Sequence, residues 1–312
     1  MADDFASRAR ETFTALTNMS VKSRSKSGPH QRIFLRRAFA PKFLLDSNMA
    51  RSFSIASYNV LADSYVKPQW YPNVDPEVLR WDRRKFALAE RVARLDADII
   101  CLQEVEADAF ALLEQSLCAK GYEGVYTKKG SDKPDGCAVF FRQGWLRFTG
   151  AATVYYRDGR QSASDSGHLA LIISFECEWG VIRVVNTHLR WGQEGKSPEE
   201  HIGYRQIREL IDERFKSNQT AYAWIVCGDL NAQSGDSVVK ELVGNGFVDA
   251  YKGREQATCN PNRRAKRIDY IFHTSGLRAE PARLMEIDDL TPLPSADEPS
   301  DHLALVAAFE KG

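Results

Sequence analysis

From Phe53 onward the chain is built of short apolar runs that stop on, or start from, a polar residue, and this pattern limits the fold more than any other feature. Phe53–Tyr58 runs into Asn59, Ile99–Leu102 into Gln103-Glu104, and Val181–Val185 into Asn186-Thr187-His188. Ala223–Val226 leads to Gly228-Asp229-Leu230-Asn231, Asp269 precedes Tyr270–Phe272, and Ser300-Asp301-His302 precedes Leu303–Phe309. With Ala138–Phe141 and Leu169–Phe175, these runs are rich in β-branched and aromatic residues and read as strands. Helical patterns separate some of them. Leu79, Phe86, Leu88, Val92 and Leu95 recur within 77–95 against an Arg-rich opposite face. Ser197-Pro198-Glu199-Glu200 has the form of a capping box with Pro at the first helical position, and Ile207, Leu210, Ile211 and Phe215 form the following stripe. The strand at 169–175 passes directly into that at 181–185, which implies an antiparallel hairpin. A mixed α/β sandwich fits better than a purely parallel doubly wound sheet.

No repeat and no Pro/Gly linker follows residue 53, so 50–312 is expected to form one domain. Residues 1–49 differ in kind. Lys22, Arg24, Lys26, Arg32, Arg36, Arg37 and Lys42 gather there, with no acid between Glu11 and Asp46. A basic, disordered leader is expected. An organelle transit peptide is the alternative, against which Asp3, Asp4 and Glu11 stand.

Composition excludes some classes of function. Lys plus Arg and Asp plus Glu both number 42, so no net charge draws a polyanion to the whole molecule. Contact with nucleic acid has to come from a local patch. Cys101, Cys118, Cys137, Cys177, Cys227 and Cys259 form no CxxC pair and mostly lie in apolar runs, which points to free thiols, no structural zinc and an intracellular, cytoplasmic location. No apolar stretch approaches the roughly 20 residues that span a bilayer, so no membrane partner is expected.

The polar strand ends carry the chemistry. An Asp or Asn after a strand is most often a turn former or a helix cap. Here carboxylates, amides and imidazoles recur at the ends of successive strands, and sheet ends brought together would collect them in one cleft. Hard oxygen donors without cysteine suit magnesium or manganese better than zinc. The carboxylate and carboxamide of Asp229 and Asn231, two positions apart, have the composition of a water-orienting pair.

In this order the motifs resemble the magnesium-dependent superfamily that includes DNase I, apurinic endonucleases and inositol-polyphosphate 5-phosphatases. Tyr58-Asn59-Val60-Leu61-Ala62, Trp81-Asp82-Arg83-Arg84, Ala97 to Val105, Asp135-Gly136-Cys137-Ala138 and Leu293-Pro294 before Pro299-Ser300-Asp301-His302 are similar to its carbon-catabolite-repressor deadenylase, nocturnin and Angel branch. The resemblance implies a DNase I-like α/β fold, a four-layer sandwich of two mixed β-sheets flanked by helices. It implies Glu104 as principal Mg²⁺ ligand, with Asn59 and Asp301 nearby and Mn²⁺ as a substitute. It also implies that His188 and His302 contact the scissile phosphate, Asp229 activates a water oriented by Asn231, and Asp269 holds the His302 imidazole. The implied activity is hydrolysis of RNA from its 3′ end. The alternative is a phosphatase or cyclic phosphodiesterase acting on a small phosphate ester or nucleotide end.

The chain departs from that branch in places. The loop Ala257 to Arg267 lacks the aromatic platform of the deadenylases and offers Arg263, Arg264, Lys266 and Arg267, expected to meet phosphates or to form a solvated charged loop. Where relatives place an Asn, this chain has His168, expected as a substrate contact. Trp191, Tyr204 and Arg205 are candidates for closing a small pocket, or for ordinary packing. The leucine-rich repeats of the larger deadenylases are absent, so no repeat surface for scaffold docking is expected.

Overall fold

In β1 (Ser52–Asn59) the side chains alternate, as a strand's period of two requires, yet both faces are buried. Phe53 and Ile55 join one apolar cluster while Ala56 and Tyr58 join another. A strand buried on both faces needs cover on both sides, and the architecture supplies it. The computed structural model describes residues 51–158, 166–192, 200–216 and 221–312. All of these fall within one unit, Ile33–Gly312. The leader at 1–49 and the Ser197–Glu199 start of a helix lie outside the described residues, as does the side chain of Phe215.

The elements in chain order are β1, α1 (Pro76–Leu79), α2 (Trp81–Arg94), β2 (Ile99–Glu106), α3 (Ala107–Cys118), β3 (Tyr122–Lys128), β4 (Asp135–Arg142) and β5 (Arg147–Tyr155). There follow β6 (Leu169–Cys177), β7 (Gly180–His188), α4 (Ile202–Lys216), β8 (Ala223–Asp229), α5 (Ser237–Gly244), β9 (Phe247–Asp249), β10 (Asp269–Thr274), β11 (Leu277–Pro281) and β12 (Leu305–Lys311). Short 3₁₀ turns occupy Asp63–Tyr65, Pro68–Trp70 and Pro261–Arg263. Two six-stranded sheets result, in the orders β11-β12-β1-β2-β4-β3 and β5-β6-β7-β8-β10-β9. Each is mixed: β1 with β2 and β7 with β8 run parallel, and the remaining pairs run antiparallel.

The inward faces of both sheets meet in the central core, where Ile55, Ile99, Val139 and Phe309 lie with Ile173, Phe175, Val184, Ile225 and Ile271. On the outside, Leu88 and Val92 of α2 and Phe110, Leu113 and Leu117 of α3 cover the first sheet. Ile207, Leu210 and Ile211 of α4 and Val238, Val239 and Leu242 of α5 cover the second. The arrangement is a four-layer α/β sandwich. Among the described residues no helix is long and apolar enough to cross a membrane.

Three expectations change. The helix read over 77–95 breaks at Arg80, whose backbone is extended, into α1 and α2. Its faces differ from the expected ones as well: Phe86 is 60% exposed, whereas the Arg84 side chain is fully buried. Arg84 donates to the carbonyls of Val60, Leu61 and Pro299 and so binds the turn after β1 to the segment before Asp301. The last strand begins at Leu305 rather than Leu303, because Leu303 N donates instead to Thr258 O at 2.7 Å and His302 pairs with Cys259.

Candidate active site

Strand register explains why the polar ends converge. Asn59 is paired with Gln103, His188 with Asp229, and Asp229 with Asp269 across β10. The two sheets are tied together just beneath. Gln103 Nε2 of the first sheet donates to Asn186 Oδ1 of the second at 2.7 Å, and Asn186 Nδ2 returns bonds to Leu102 O and Ala138 O. These buried amides form a strut that fixes one sheet end against the other, since unmade bonds there would leave polar groups stranded. Close approach of β7 and β8 at this level requires Gly228: at φ +141° a Cβ would lie 1.8 Å from Thr187 O.

Glu104 sits where β2 loses register between Leu102 and Val105, with φ at +58°. A bulge of this kind re-aims a side chain at the sheet rim, and the unusual backbone is stored locally. Glu104 Oε1 accepts from Asn59 Nδ2 at 3.1 Å and Oε2 from Ala62 N at 3.0 Å. The same Asn59 amide donates to Asp229 Oδ2 at 3.0 Å, and its Oδ1 accepts from Leu61 N. Asn59, expected beside the metal, bridges the two carboxylates through its amide nitrogen while its Oδ1 accepts from Leu61 N.

Asp229 lies between the imidazoles: its Oδ2 is 3.6 Å from His188 Nε2 and 3.8 Å from His302 Nε2. Its Oδ1 accepts from the Asn231 backbone, and the Asn231 amide nitrogen lies 3.1 Å from His188 Nε2 while donating to Leu189 O. His302 Nδ1 bonds Asp269 Oδ2 at 2.9 Å, and Thr258 Oγ1 donates to that same oxygen. Asp301 Oδ2 accepts from the Tyr71 hydroxyl at 3.0 Å.

The charges are strongly conditioned by burial. Burial pushes Glu104 up to about 7, Lys129 opposing and Asp135 and Asp301 adding to it. Burial, then Asp269, pushes Asp229 up to about 6. Burial alone would lower His302, but Asp269, Asp301 and Asp229 outweigh it and raise the imidazole to about 10. Burial and then the Lys129 ammonium hold His188 well below its usual range. One imidazole is cationic and the other neutral at neutral pH, a separation of roles of the kind acid–base sites use.

Carboxylates pushed upward beside each other call for a cation. Among the described residues Asp301 Oδ1 is buried with no hydrogen-bond partner, and it lies 4.0 Å from His302 Nε2. The donor set of Glu104 and Asp301, all hard oxygen, fits a divalent ion of the magnesium type. Cys259, Asp269 and His302 also come within 4.8 Å of one another. That trio is occupied otherwise: the Asp269 oxygens serve His302 and Thr258, and burial keeps the Cys259 thiol protonated.

Several contributors were not singled out in the sequence. Lys129, buried, donates to Asp135 Oδ2 at 2.7 Å and reaches His188 Nδ1 at 3.2 Å, and the Tyr65 hydroxyl donates to Asp135 Oδ1. A single lysine just past the end of β3 gives no periodic signal; Asp135, opening the apolar run of β4, was the available clue. A cleft of about 470 Å³ opens beside them, lined by Tyr65, Lys133, His168, Arg190 and Trp191 among others. Tyr204 does not line that cleft; it takes the packing alternative, lying against the cluster under α4 and α5 with its hydroxyl on Glu241.

The basic loop divides. Arg263 and Arg264 are exposed and Lys266 is half-buried. Arg267, expected to contact substrate, turns inward to Asp249 and Glu255 and lies over the Tyr270 ring. Its role is to hold β10, because a buried guanidinium needs its carboxylate partners.

Comparison with known proteins gives a consistent picture. The Endonuclease/Exonuclease/phosphatase family matches residues 56–302. Carbon catabolite repressor protein 4 homolog 4 of Arabidopsis thaliana is 26% identical, over 83% of this chain and 77% of its own length. The CCR4-Not complex 3'-5'-exoribonuclease subunit Ccr4 of Saccharomyces cerevisiae is 27% identical over 83% of this chain, which spans only 39% of that protein. Among solved structures, ANGEL2, a 2′,3′-cyclic phosphatase bound to adenosine-2′,3′-vanadate, superimposes with a TM-score of 0.73 at 23% identity, over 84% of this chain and 96% of its own. The human nocturnin catalytic domain does so with a TM-score of 0.62 at 24% identity, over 84% and 94%.

Proposed function

The chain belongs to the Endonuclease/Exonuclease/phosphatase family and is a phosphoric ester hydrolase of a generally divalent-metal-dependent kind, and from that premise we propose that it hydrolyses RNA from the 3′ end with Mg²⁺. The observation that carries the chemistry is Asp229, held at Oδ1 by Asn231 N while Oδ2 lies within 4 Å of both imidazoles. A carboxylate raised to about 6 and oriented in this way suits a general base working near neutral pH.

In this reading a water oxygen forms the new bond to phosphorus, in line with the P–O3′ bond that breaks; Asp229 takes the water's proton, and the departing 3′-oxygen leaves with the bond's electron pair and is protonated from solvent to the 3′-hydroxyl. Asn231 orients that water. His302, kept protonated by Asp269, donates to a phosphoryl oxygen as charge builds there, and neutral His188 contacts a second oxygen. Glu104 and Asp301 would hold Mg²⁺ or Mn²⁺, which would supply Lewis-acid stabilisation of the phosphoryl charge. No covalent intermediate on the protein is needed.

The RNA and 3′-end parts draw support from the name of the yeast relative, an exoribonuclease, and from the cations of the adjoining cleft, Lys129, Lys133 and Arg190. The test offers the purified protein 5′-labelled RNA with 3′-hydroxyl or 2′,3′-cyclic phosphate ends, poly(A), single-stranded DNA and a small dinucleotide, with Mg²⁺ or EDTA. Stepwise shortening of 3′-hydroxyl RNA that EDTA abolishes is the expected outcome. Turnover of terminal or cyclic phosphate alone would replace it with the small-ester alternative.

A further inference from the structure

His168 occupies the cleft wall beside His188, their rings 5.9 Å apart at 87°. The proton on its ring is fixed by a chain of bonds that starts at a backbone amide. Arg190 N can only donate, and it donates to Gln206 Oε1 at 2.9 Å, which fixes the orientation of the buried Gln206 amide. Gln206 Nε2 then donates to Asp158 Oδ1 at 2.7 Å and to Ser166 Oγ at 3.0 Å. Ser166 donates its one hydroxyl hydrogen to the Asp158 carboxylate at 3.1 Å. With that hydrogen committed, the 3.0 Å contact between Ser166 Oγ and His168 Nδ1 has the ring as donor. Nε2 is left as a bare acceptor, and it has no partner among the described residues.

Burial, then Lys129 and Lys133, lowers His168 to about 3, so the ring stays neutral. A neutral ring presenting a lone pair is a poor partner for a phosphate oxygen, which needs a donor. It is suited to a hydroxyl. We propose that His168 Nε2 accepts a hydrogen bond from the ribose 2′-hydroxyl beside the scissile phosphate, making this chain selective for RNA over DNA. The inference rests on the phosphodiesterase reading of the site. The 2′-hydroxyl is one carbon from the esterified 3′-oxygen, so a group one ring away from the phosphate contact His188 is placed for the sugar, with base edges farther off. A 2′,3′-cyclic phosphate has no such donor, which sets this wall against the cyclic-ester alternative. A site built to bond a hydroxyl rejects analogues that lack it more strongly than an apolar wall does.

The experiment compares kcat/KM for 3′-hydroxyl oligonucleotides differing only at the 2′ position of the nucleotide that bears the scissile 3′-phosphoryl bond. Hydroxyl and amino groups, which donate, are expected to be cleaved roughly tenfold faster than hydrogen, fluorine or methoxy, the size of one neutral hydrogen bond. This series uses the unaltered protein, so folding of a variant does not enter. His168→Phe, which keeps ring shape and removes the acceptor, is expected to bring the hydroxyl and hydrogen substrates to within about twofold of each other. Equal rates across the series with the unaltered protein, or preference that follows the base instead of the sugar, would overturn the assignment while leaving the phosphodiesterase reading intact. Failure to cleave every member of the series with Mg²⁺ would overturn that reading, and the assignment with it.

Discussion

At the residue scale, the site is a set of buried charges whose protonation the surroundings dictate. His302 is raised to about 10 from an ordinary 6.5, so the folded protein holds that proton more tightly than the unfolded chain does. The resulting stabilisation is complete below pH 6.5 and is lost as pH rises through about 10. Asp269→Asn is therefore expected to lower the unfolding free energy by about 3 kcal/mol at pH 6, where it strands a buried imidazolium. By pH 10.5 the loss should be much smaller, and urea unfolding at the two values checks it; equal losses would contradict the coupling. Asp229→Asn, which leaves the fold's hydrogen bonds nearly intact, is expected to reduce kcat by about 10³, the worth of a general base. Much of this set was legible, because carboxylates and imidazoles at strand ends stand out against apolar runs. Lys129 and Arg84 were not, since a single cation gives no periodicity, and whether it is buried depends on carbonyls and carboxylates brought from distant strands.

At the element scale, three devices position these groups: the bulge that re-aims Glu104, the loop 257–267, and the strut between sheets. The loop is anchored by Asn260 N to Asp301 O at 2.9 Å, so it is attached to the site's own backbone. Arg263→Ala, Arg264→Ala and Lys266→Ala combined are expected to weaken RNA binding and flatten its dependence on log salt by about two to three. An unchanged slope would make the loop a solvated feature only. Arg267 is left out of that variant, because losing its pair with Asp249 is expected to cost stability instead. Gln103→Leu would leave the buried Asn186 Oδ1 without its donor and is expected to cost about 1–3 kcal/mol. A fall in the midpoint of thermal unfolding checks this. Central strands were readable as unbroken apolar runs because both their faces are covered. β5 was not, its alternation of exposed and half-buried positions being that of an edge, and the loop's pairing with His302 is a tertiary contact with no local signature.

At the scale of the whole molecule, two sheets back to back place the carboxyl ends of β1 and β2 opposite those of β7 and β8, and the carboxylates and imidazoles of the proposed cation and phosphate sites gather at one rim. The metal part can be read without turnover. Glu104 is raised to about 7 in the metal-free protein, so it destabilises the fold as pH rises from about 4.5 through 7, and Mg²⁺ should bind best once it is ionised. Mg²⁺ is expected to raise the unfolding midpoint more at pH 8 than at pH 5.5, and Glu104→Gln to abolish the difference. The central claim, direct attack by water on phosphorus at this rim, is tested by hydrolysing RNA that carries a chiral phosphorothioate at the 3′-terminal linkage, in ¹⁸O water with a divalent metal. Inversion at phosphorus, with one solvent oxygen in the released mononucleotide and no release in EDTA, is the expected result. Retention of configuration, or release that persists in EDTA, would contradict it.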